Sequence, residues 1–144
     1  MRGQTARRTA RHFGYSYEYE SGRAAPGEPL PEWLAELRAR AAHEPGVGVE
    51  PEELVEALVQ RYPAGASIGW HRDAPAFGSV VGISLGSPCR MRFRRKDERF
   101  DLTLAPRSLY VLAGASRWSW QHSIPPAAEL RYSITFRTLR GGGG

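Results

Sequence analysis

The sequence predicts an α+β protein in which a two-sheet jelly roll or barrel is accompanied by one or two helices. Three observations support this fold class. Short apolar or alternating segments, separated by Gly, Pro, Asp or Ser, follow one another from residue 67 to residue 139. One segment near residue 33 has helical periodicity instead. The 144 residues are enough for one core and too few for two ordinary domains.

The N-terminal part of the chain supplies one strand and the helix. Residues 1–12 are basic and lack apolar periodicity, which predicts a flexible arm, and the domain is expected to span residues 13–140. Residues 13–20 carry aromatic side chains at alternate positions, which is typical of a strand. The helix is expected to begin at Pro31-Glu-Trp33, because proline and acids favour a first turn, and to end near Pro45-Gly46.

The remainder of the chain is predicted to be mainly strand. The pattern of residues 54–62 fits either a helix or a strand, and Pro63-Ala-Gly65 predicts a turn after them. Beyond this turn we expect strands at about residues 67–72, 79–86, 88–95, 99–105, 108–113, 118–122 and 130–139. The four glycines at residues 141–144 predict a flexible tail.

Charge and composition restrict the class of partner. The formal net charge is +5, and 19 of the 20 basic residues are Arg. This excess favours an anionic partner such as nucleic acid, although a GC-rich genome would produce the same bias. The single cysteine, Cys89, excludes an intramolecular disulfide and a Cys-rich zinc site. No apolar run approaches membrane-spanning length, so we expect a cytoplasmic protein without membrane association, and a monomer.

His71-Arg72-Asp73 is a candidate metal-binding motif. In an extended segment, side chains two residues apart point to the same face, so an imidazole nitrogen and a carboxylate oxygen can reach one ion. Two imidazoles and one carboxylate form the ligand set that leaves positions on Fe(II) open for a co-substrate and oxygen. An isolated H-x-D triplet also occurs by chance, as a strand-end His followed by a turn Asp.

The run Arg131-Tyr-Ser-Ile-Thr-Phe-Arg137 alternates polar and apolar residues, which predicts a strand with one polar face. Its two arginines lie on that face, roughly 20 Å apart, with Ser133 and Thr135 between them. Two guanidinium groups suit an anion with two carboxylates, and the small residues between them leave room for it. The alternative is an outward face with solvated arginines.

These motifs, in this order, resemble the AlkB-like family of 2-oxoglutarate, Fe(II)-dependent dioxygenases. The family pattern is H-x-D, a distant His and an R-Y-x-x-T-F-R strand. The resemblance extends from about Phe13 to Thr138 and includes three further segments, Arg61-Tyr62-Pro-Ala-Gly65, Val81-Gly-Ile-Ser84-Leu85-Gly86 and Ser123-Ile-Pro125. It implies a double-stranded β-helix with a short N-terminal lid strand. It also implies that Fe(II) is bound by His71, Asp73 and His122.

The same resemblance implies a co-substrate and a reaction. 2-Oxoglutarate would be held by Gln60, Tyr62, Arg131, Ser133 and Arg137. Gln60 stands where the family usually has Asn. Molecular oxygen would oxidise an N-alkyl carbon of a DNA or RNA base, as in oxidative demethylation during DNA repair, and the alkyl group would leave as an aldehyde while 2-oxoglutarate becomes succinate. Pro75 replaces an acidic residue with which many family members contact the base, so the preferred base stays open.

Two other functions are compatible with the residues. One is an oxygenase of the same fold that acts on a protein or a small molecule. The other is a nucleic-acid-binding β domain without catalytic activity. Iron content would distinguish the binding domain from the two oxygenases. Alkyl loss from an oligonucleotide would distinguish the oxygenase that acts on nucleic acid from the one that acts on a protein or a small molecule.

Substrate contacts are predicted on both sides of the H-x-D motif. Tyr15 and Tyr17 belong to a segment that resembles the family's lid strand, and with Trp70 they would stack on a base. Arg94 and Lys96 belong to an alternating basic run and would contact phosphates. The alternatives are core aromatics and a charged hairpin edge that keeps the sheet soluble.

Overall fold

The computed structural model describes residues 7–18 and 23–141, of which residues 16–18, 23 and 24 are described by their backbone alone. The elements, in chain order, are β1 (Thr9–Gly14), β2 (Ser16–Glu18), β3 (Arg23–Ala25), α1 (Glu32–Ala42), a 3-10 turn (Pro51–Glu53), β4 (Glu56–Tyr62), β5 (Ile68–His71), β6 (Phe77–Gly86), β7 (Cys89–Arg95), β8 (Glu98–Leu104), β9 (Ser108–Leu112), α2 (Ala115–Trp118), β10 (Gln121–Ile124) and β11 (Arg131–Leu139).

Two antiparallel sheets form the body of the domain. One has five strands in the order β1-β4-β11-β6-β9, and the other has four in the order β5-β10-β7-β8. Strands β2 and β3 form a separate two-stranded ribbon. Side chains of both sheets, such as Tyr62 and His122, line one interior cavity, so the sheets lie face to face. The predicted jelly roll is confirmed.

The five-stranded sheet buries both of its faces. One face packs against α1 through an apolar cluster that includes Leu34, Val81 and Phe136. The other face meets the four-stranded sheet through a second cluster, which includes Val80 and Met91. The neighbours Val80 and Val81 thus point to opposite sides, as the period of two requires. The helix supports the outer side of this sheet and leaves the inner side free for the cavity.

Strand β11 lies at the centre of the five-stranded sheet and pairs with β4 and β6. Phe136 belongs to the cluster on α1, whereas Ser133 and Thr135 line the interior cavity. Arg131 is fully buried and Arg137 is 9% exposed. The predicted alternation is confirmed, and the outward-facing alternative for the two arginines is excluded.

The N-terminal prediction is wrong at residues 9–12, which were assigned to a flexible arm. Strand β1 begins at Thr9 and pairs with β4 along its whole length. Backbone hydrogen bonds hold this edge strand, so it needs no apolar alternation. Residues 13–20 do not form one strand, because β1 ends at Gly14, where φ is 73°, and β2 begins two residues later. Residues 1–6 and 142–144 lie outside the described part of the chain.

The connection before the second histidine also differs from the prediction. Residues 118–122 were expected to form a strand, but α2 ends at Trp118 and β10 begins at Gln121. The segment 54–62 is a strand from Glu56 onward. Within the described ranges, neither helix has the length and apolar character needed to cross a membrane.

Candidate active site

Two histidines and one aspartate converge at one end of the interior cavity. His71, the last residue of β5, is paired across the sheet with His122 of β10. Oδ1 of Asp73 lies 3.7 Å from Nε2 of His71 and 3.4 Å from Nε2 of His122. One ligand atom from each residue lies within 4.8 Å of the other two. The three groups could therefore bind one ion, and this ligand set fits Fe(II) with open positions.

The backbone orients the His71 ring for such a role. Its Nδ1 lies 2.8 Å from the carbonyl oxygen of Gly69, so Nδ1–H donates to that oxygen and the lone pair of Nε2 faces Asp73. Burial, with the nearby His122, lowers the pKa of His71. Both effects favour the neutral ring that a metal requires.

Arg137 binds the Asp73 carboxylate oxygen that does not face the histidines. Nε of Arg137 donates to Oδ2 of Asp73 at 2.7 Å, and one terminal nitrogen forms an ion pair with the same oxygen at 2.6 Å, which leaves Oδ1 facing the histidines. The other terminal nitrogen donates to Glu56 at 3.0 Å and to Thr135 at 2.8 Å. Burial alone would raise the pKa of Asp73, but the Arg137 guanidinium holds it well below its usual range. The carboxylate is thus ionised and available as a ligand.

Arg131 has a different environment at the other end of the same strand. Its side chain is fully buried, its Nε donates to the Ser84 hydroxyl at 3.0 Å, and both terminal nitrogens lack a hydrogen-bond partner. No carboxylate of the described residues lies within 4 Å of it. The guanidinium carbon is 5.0 Å from the centre of the Tyr62 ring. A buried cation with free donors is a receptor for an anion.

The interior cavity extends from the candidate metal ligands to Tyr62, whose ring lies beside the Arg131 guanidinium. The Tyr62 hydroxyl donates to Oε1 of Gln60 at 2.9 Å, and both side chains line the cavity with Ser133. The structure thus brings Gln60, Tyr62 and Ser133 into the cavity that the candidate metal ligands also line, whereas Arg131 is not one of its lining residues. Their roles in binding 2-oxoglutarate stay predictions.

Tyr110 is a cavity residue that sequence reasoning missed. Burial raises the pKa of its phenol strongly, so its hydroxyl is neutral. It faces Gly82 across β6 and β9, and a Cβ at Gly82 would overlap the Tyr110 ring. The glycine therefore makes room for a tyrosine whose ring forms one wall of the cavity.

An open cleft of about 500 Å³, here called the mouth, leads from solvent to His71 and Asp73. One of its walls includes Arg8 and the β1 residues Ala10 and His12, and another includes Trp70 and Arg72. Sequence reasoning assigned the residues of the first wall to a flexible arm.

Tyr15, one of the predicted aromatic contacts of the lid, is not located at the mouth. Tyr15 lines neither the mouth nor the interior cavity, because the chain bends after β1 and its backbone N–H bonds to Val55 instead. The side chain of Tyr17 lies outside the described part of the structure.

A second depression, here called the basic groove, lies on the outer face of the four-stranded sheet. Its volume is about 570 Å³, and its lining residues are Arg72, Arg94, Arg95, Lys96, Arg99, Ser119 and Gln121. Of these five cations, only Arg95 has a carboxylate within 4 Å among the described residues, that of Glu98 at 2.8 Å. Arg72 also lines the mouth, so the basic groove and the mouth meet at this residue.

Trp70 lies on the outer face, so it does not point toward the candidate metal ligands. Its neighbour His71 faces inward, and adjacent residues of a strand face opposite sides. The guanidinium carbon of Arg94 lies 4.4 Å from the centre of the Trp70 ring, and that of Arg92 lies 5.2 Å from it. Trp70 therefore packs against arginines of the outer face. It also lines the mouth, so its stacking on a base stays a prediction.

Glu56 and Arg117 were also missed by sequence reasoning. Glu56 is 2% exposed and lies directly opposite Arg137 in the register of β4 and β11. Opposite charges at facing positions would be a signal, but only once the strand order is known. Arg117 is buried to the same extent, and nothing in its local sequence distinguishes it from an exposed arginine.

The cavity, the His-Asp-His cluster and the buried arginines define an oxygenase of the jelly-roll class. A family model of the 2OG-Fe(II) oxygenase superfamily matches residues 1–137. The chain therefore belongs to the 2OG-Fe(II) oxygenase superfamily, whose members use Fe(II) and 2-oxoglutarate, and it is AlkB-like within that superfamily.

Individual relatives agree with this assignment. The chain is 32% identical over 126 residues to mouse tRNA (carboxymethyluridine(34)-5-O)-methyltransferase ALKBH8, covering 83% of this chain and 18% of the mouse protein. It is 31% identical over 91 residues to rat alpha-ketoglutarate-dependent dioxygenase alkB homolog 3, covering 51% of this chain and 31% of the rat protein. The chain thus spans less than half the length of either relative. The structure of OsALKBH1 superposes with a TM-score of 0.66 at 17% identity, over 91% of this chain and 78% of that one, which shows the shared fold.

Proposed function

We propose that this chain is a dioxygenase that oxidatively removes N-alkyl groups from nucleic-acid bases. The observation that supports a nucleic-acid substrate best is the basic groove, which meets the mouth of the candidate metal site at Arg72. A strand whose alkylated base enters the mouth would have flanking phosphates close to the groove. Relatives support the same substrate class, because an Arabidopsis protein that is 30% identical over 147 residues is named an alkylated DNA repair protein ALKBH8 homolog.

The metal and co-substrate have defined places in this proposal. Fe(II) would be held by His71, Asp73 and His122, whose ligand atoms lie within 4.8 Å of one another. A carboxylate of 2-oxoglutarate would meet the free donors of Arg131. When bound, metal and co-substrate supply the oxidising chemistry, in which one oxygen atom enters succinate and the other enters the N-alkyl carbon.

The protein's own residues orient a candidate metal ligand, line the cavity and shield the reacting carbon from water. Arg137 fixes Oδ2 of Asp73, so that only Oδ1 is directed to the ion. The hydrogen-bonded pair of Tyr62 and Gln60 lines the cavity of the candidate metal ligands, and the Tyr62 ring lies beside the Arg131 guanidinium. The sheets bury the inner end of the cavity and thereby exclude bulk water from the reacting carbon.

The activity is tested with single-stranded DNA and RNA oligonucleotides that each carry one N-methyl base. We expect loss of the methyl group by mass spectrometry, with formaldehyde and succinate in equal amounts, and no loss with Asp73→Ala. Succinate formation without methyl loss on any of the common N-methyl bases would contradict the proposal and favour a protein or small-molecule substrate. Absence of bound iron would favour a binding domain without activity.

The basic groove is tested separately through the salt dependence of binding. Replacing Arg94 and Lys96 by Ser should weaken oligonucleotide binding equally for every sequence and flatten the slope of log affinity against log salt by roughly 0.7 per lost contact. The matched control replaces the exposed Arg11 and Arg40, which lie outside the groove, and removes the same net charge. An equal change of slope in both double variants would contradict a specific role for the groove.

The monomeric state and the cytoplasmic localisation also stay predictions.

A further inference from the structure

Arg117 is a buried arginine outside the cavity and the groove. It lies in α2, the four-residue helix between β9 and β10, and only 2% of its surface is exposed. No carboxylate of the described residues lies within 4 Å of its guanidinium. An arginine buried without an acidic partner requires other compensation, because removing its charge from water is costly.

The compensation comes from three carbonyl groups of one short segment. Nε donates to the carbonyl oxygen of Gly78 at 2.6 Å, and one terminal nitrogen donates to those of Phe77 and Ala74 at 2.7 and 2.9 Å. Ala74 lies in the connection that follows Asp73, and Phe77 and Gly78 are the first two residues of β6. Burial lowers the pKa of Arg117, which fits a cation that is compensated by peptide carbonyls and by the Trp118 ring, 4.0 Å from the guanidinium carbon.

This connection determines where Asp73 lies. Strand β5 ends at His71, so no hydrogen bonds of the sheet ladder hold Asp73, and its backbone direction is set by the residues after it. At the end of the connection, the backbone N–H of Phe77 donates to the carbonyl of Ala74 at 3.1 Å, which forms a turn. Arg117 holds this turn through the carbonyls of the same two residues.

The other end of Arg117 belongs to the segment that leads to His122. The helix α2 ends at Trp118, and β10 begins three residues later with Gln121, next to His122. One side chain thus connects the segment after the first candidate metal-binding motif to the segment before the second. His71 and His122 are already paired across two strands, whereas Asp73 has no such restraint.

We propose that Arg117 is a positioning residue of the metal site: its guanidinium fixes the turn after Asp73 against α2 and so sets the distance between Asp73 and His122. Lysine keeps the charge but is a point donor, so it cannot hold three carbonyls in the plane of a guanidinium. This inference depends on the metal site and not on the nucleic-acid substrate, so the two proposals can fail separately.

The experiment compares Arg117→Lys with Arg38→Lys. Arg38 is a partly buried arginine that also donates to a carbonyl, that of Leu54, but it lies in α1, which packs against the outer side of the five-stranded sheet. Purified metal-free variants are titrated with Co(II), and the visible absorption of the bound ion reports its coordination geometry. Thermal unfolding of the metal-free proteins measures any general loss of stability.

We expect Arg117→Lys to bind Co(II) at least tenfold more weakly than wild type, with an altered visible spectrum. Arg38→Lys should bind with wild-type affinity and spectrum at a similar melting temperature. A wild-type spectrum and affinity in Arg117→Lys would overturn the proposal. If Arg117→Lys does not fold, Arg117→Gln is measured in the same way. Failure of both to fold would also overturn it, because Arg117 would then serve the whole domain.

Discussion

The two arginines of β11 differ more than their shared strand and face suggest. Arg137 directs its donors to two carboxylates, those of Asp73 and Glu56, and to the hydroxyl of Thr135. Arg131, six residues earlier and more deeply buried, uses only Nε, and its acceptor is the neutral hydroxyl of Ser84. One guanidinium is fully compensated by the protein, and the other is not.

The neighbouring strand explains the difference. In the register of β4 and β11, Glu56 lies opposite Arg137, and Tyr62 lies opposite Arg131. The acid supplies a permanent counter-charge at one end, whereas the tyrosine ring supplies a wall at the other. Equal side chains on one strand therefore have different functions, because the adjacent strand determines which of them keeps free donors.

The two arginines have different partners in the site. Arg137 contacts a candidate metal ligand, whereas the terminal nitrogens of Arg131 have no hydrogen-bond partner among the described residues. Both arginines were predicted to hold 2-oxoglutarate. We propose that Arg131 is the main anchor, because a buried guanidinium with unpaired terminal nitrogens is costly unless an anion binds it.

The largest effect is expected at Asp73, the ion-pair partner of Arg137. Asp73→Asn removes a candidate ligand and one partner of a buried guanidinium together. Metal affinity should fall by more than the roughly 10- to 100-fold that loss of an outer partner causes. The free energy of unfolding should drop by about 3 kcal/mol, because the Arg137 charge loses a buried partner. Co(II) titration and chemical denaturation measure the two effects, and wild-type values in both would contradict the assigned role of Asp73.

Glu56→Gln sharpens the comparison with a smaller change. It leaves Asp73 in place but removes the second counter-charge of Arg137, so the buried network loses about 1–3 kcal/mol of stability. Because Arg137 orients Asp73, Co(II) should bind roughly tenfold more weakly. Affinity for 2-oxoglutarate at saturating metal should change little. A loss confined to 2-oxoglutarate affinity would show that Arg137, and not only Arg131, anchors the co-substrate.

The smallest effect is expected at Gly82, which lies against the Tyr110 ring in the cavity wall. Gly82→Ala forces the Tyr110 ring to move, which should cost about 1–3 kcal/mol of stability through overpacking and narrow the cavity. Gly69→Ala is the matched control, because a Cβ there has no atom within 4 Å. Denaturation curves of the two variants check this prediction. Equal stability of both variants would show that the close approach of Tyr110 is not a constraint.

Much of this architecture could be predicted from local patterns. The alternation in residues 131–137 predicted a strand with a polar face, and the turn residues predicted most strand positions in the second half of the chain. The order of the motifs predicted the jelly roll and its cofactors, which the family match confirms. These features are local or follow from motif order, so a single sequence is enough to show them.

The other features of the fold and the site depend on contacts between segments that are far apart in the chain. Glu56 acquires its role from a facing position 81 residues away in the chain, and Arg117 acquires its role from carbonyls about 40 residues away. Strand β1 pairs through its backbone and has no side-chain pattern to predict it. For the same reason, the face of the sheet that Trp70 occupies follows only from the pairing of His71 with His122.

The central claim, that Arg131 is the anion receptor for 2-oxoglutarate, is tested most directly by calorimetric titration of 2-oxoglutarate into Mn(II)-loaded wild type and Arg131→Lys. A charged hydrogen bond contributes about 1.5–3 kcal/mol, and lysine cannot reproduce the bidentate contact, so the dissociation constant should rise by roughly tenfold or more. Mn(II) affinity without 2-oxoglutarate should be unchanged, because Arg131 does not contact the candidate metal ligands. A wild-type dissociation constant for 2-oxoglutarate in Arg131→Lys would contradict the claim.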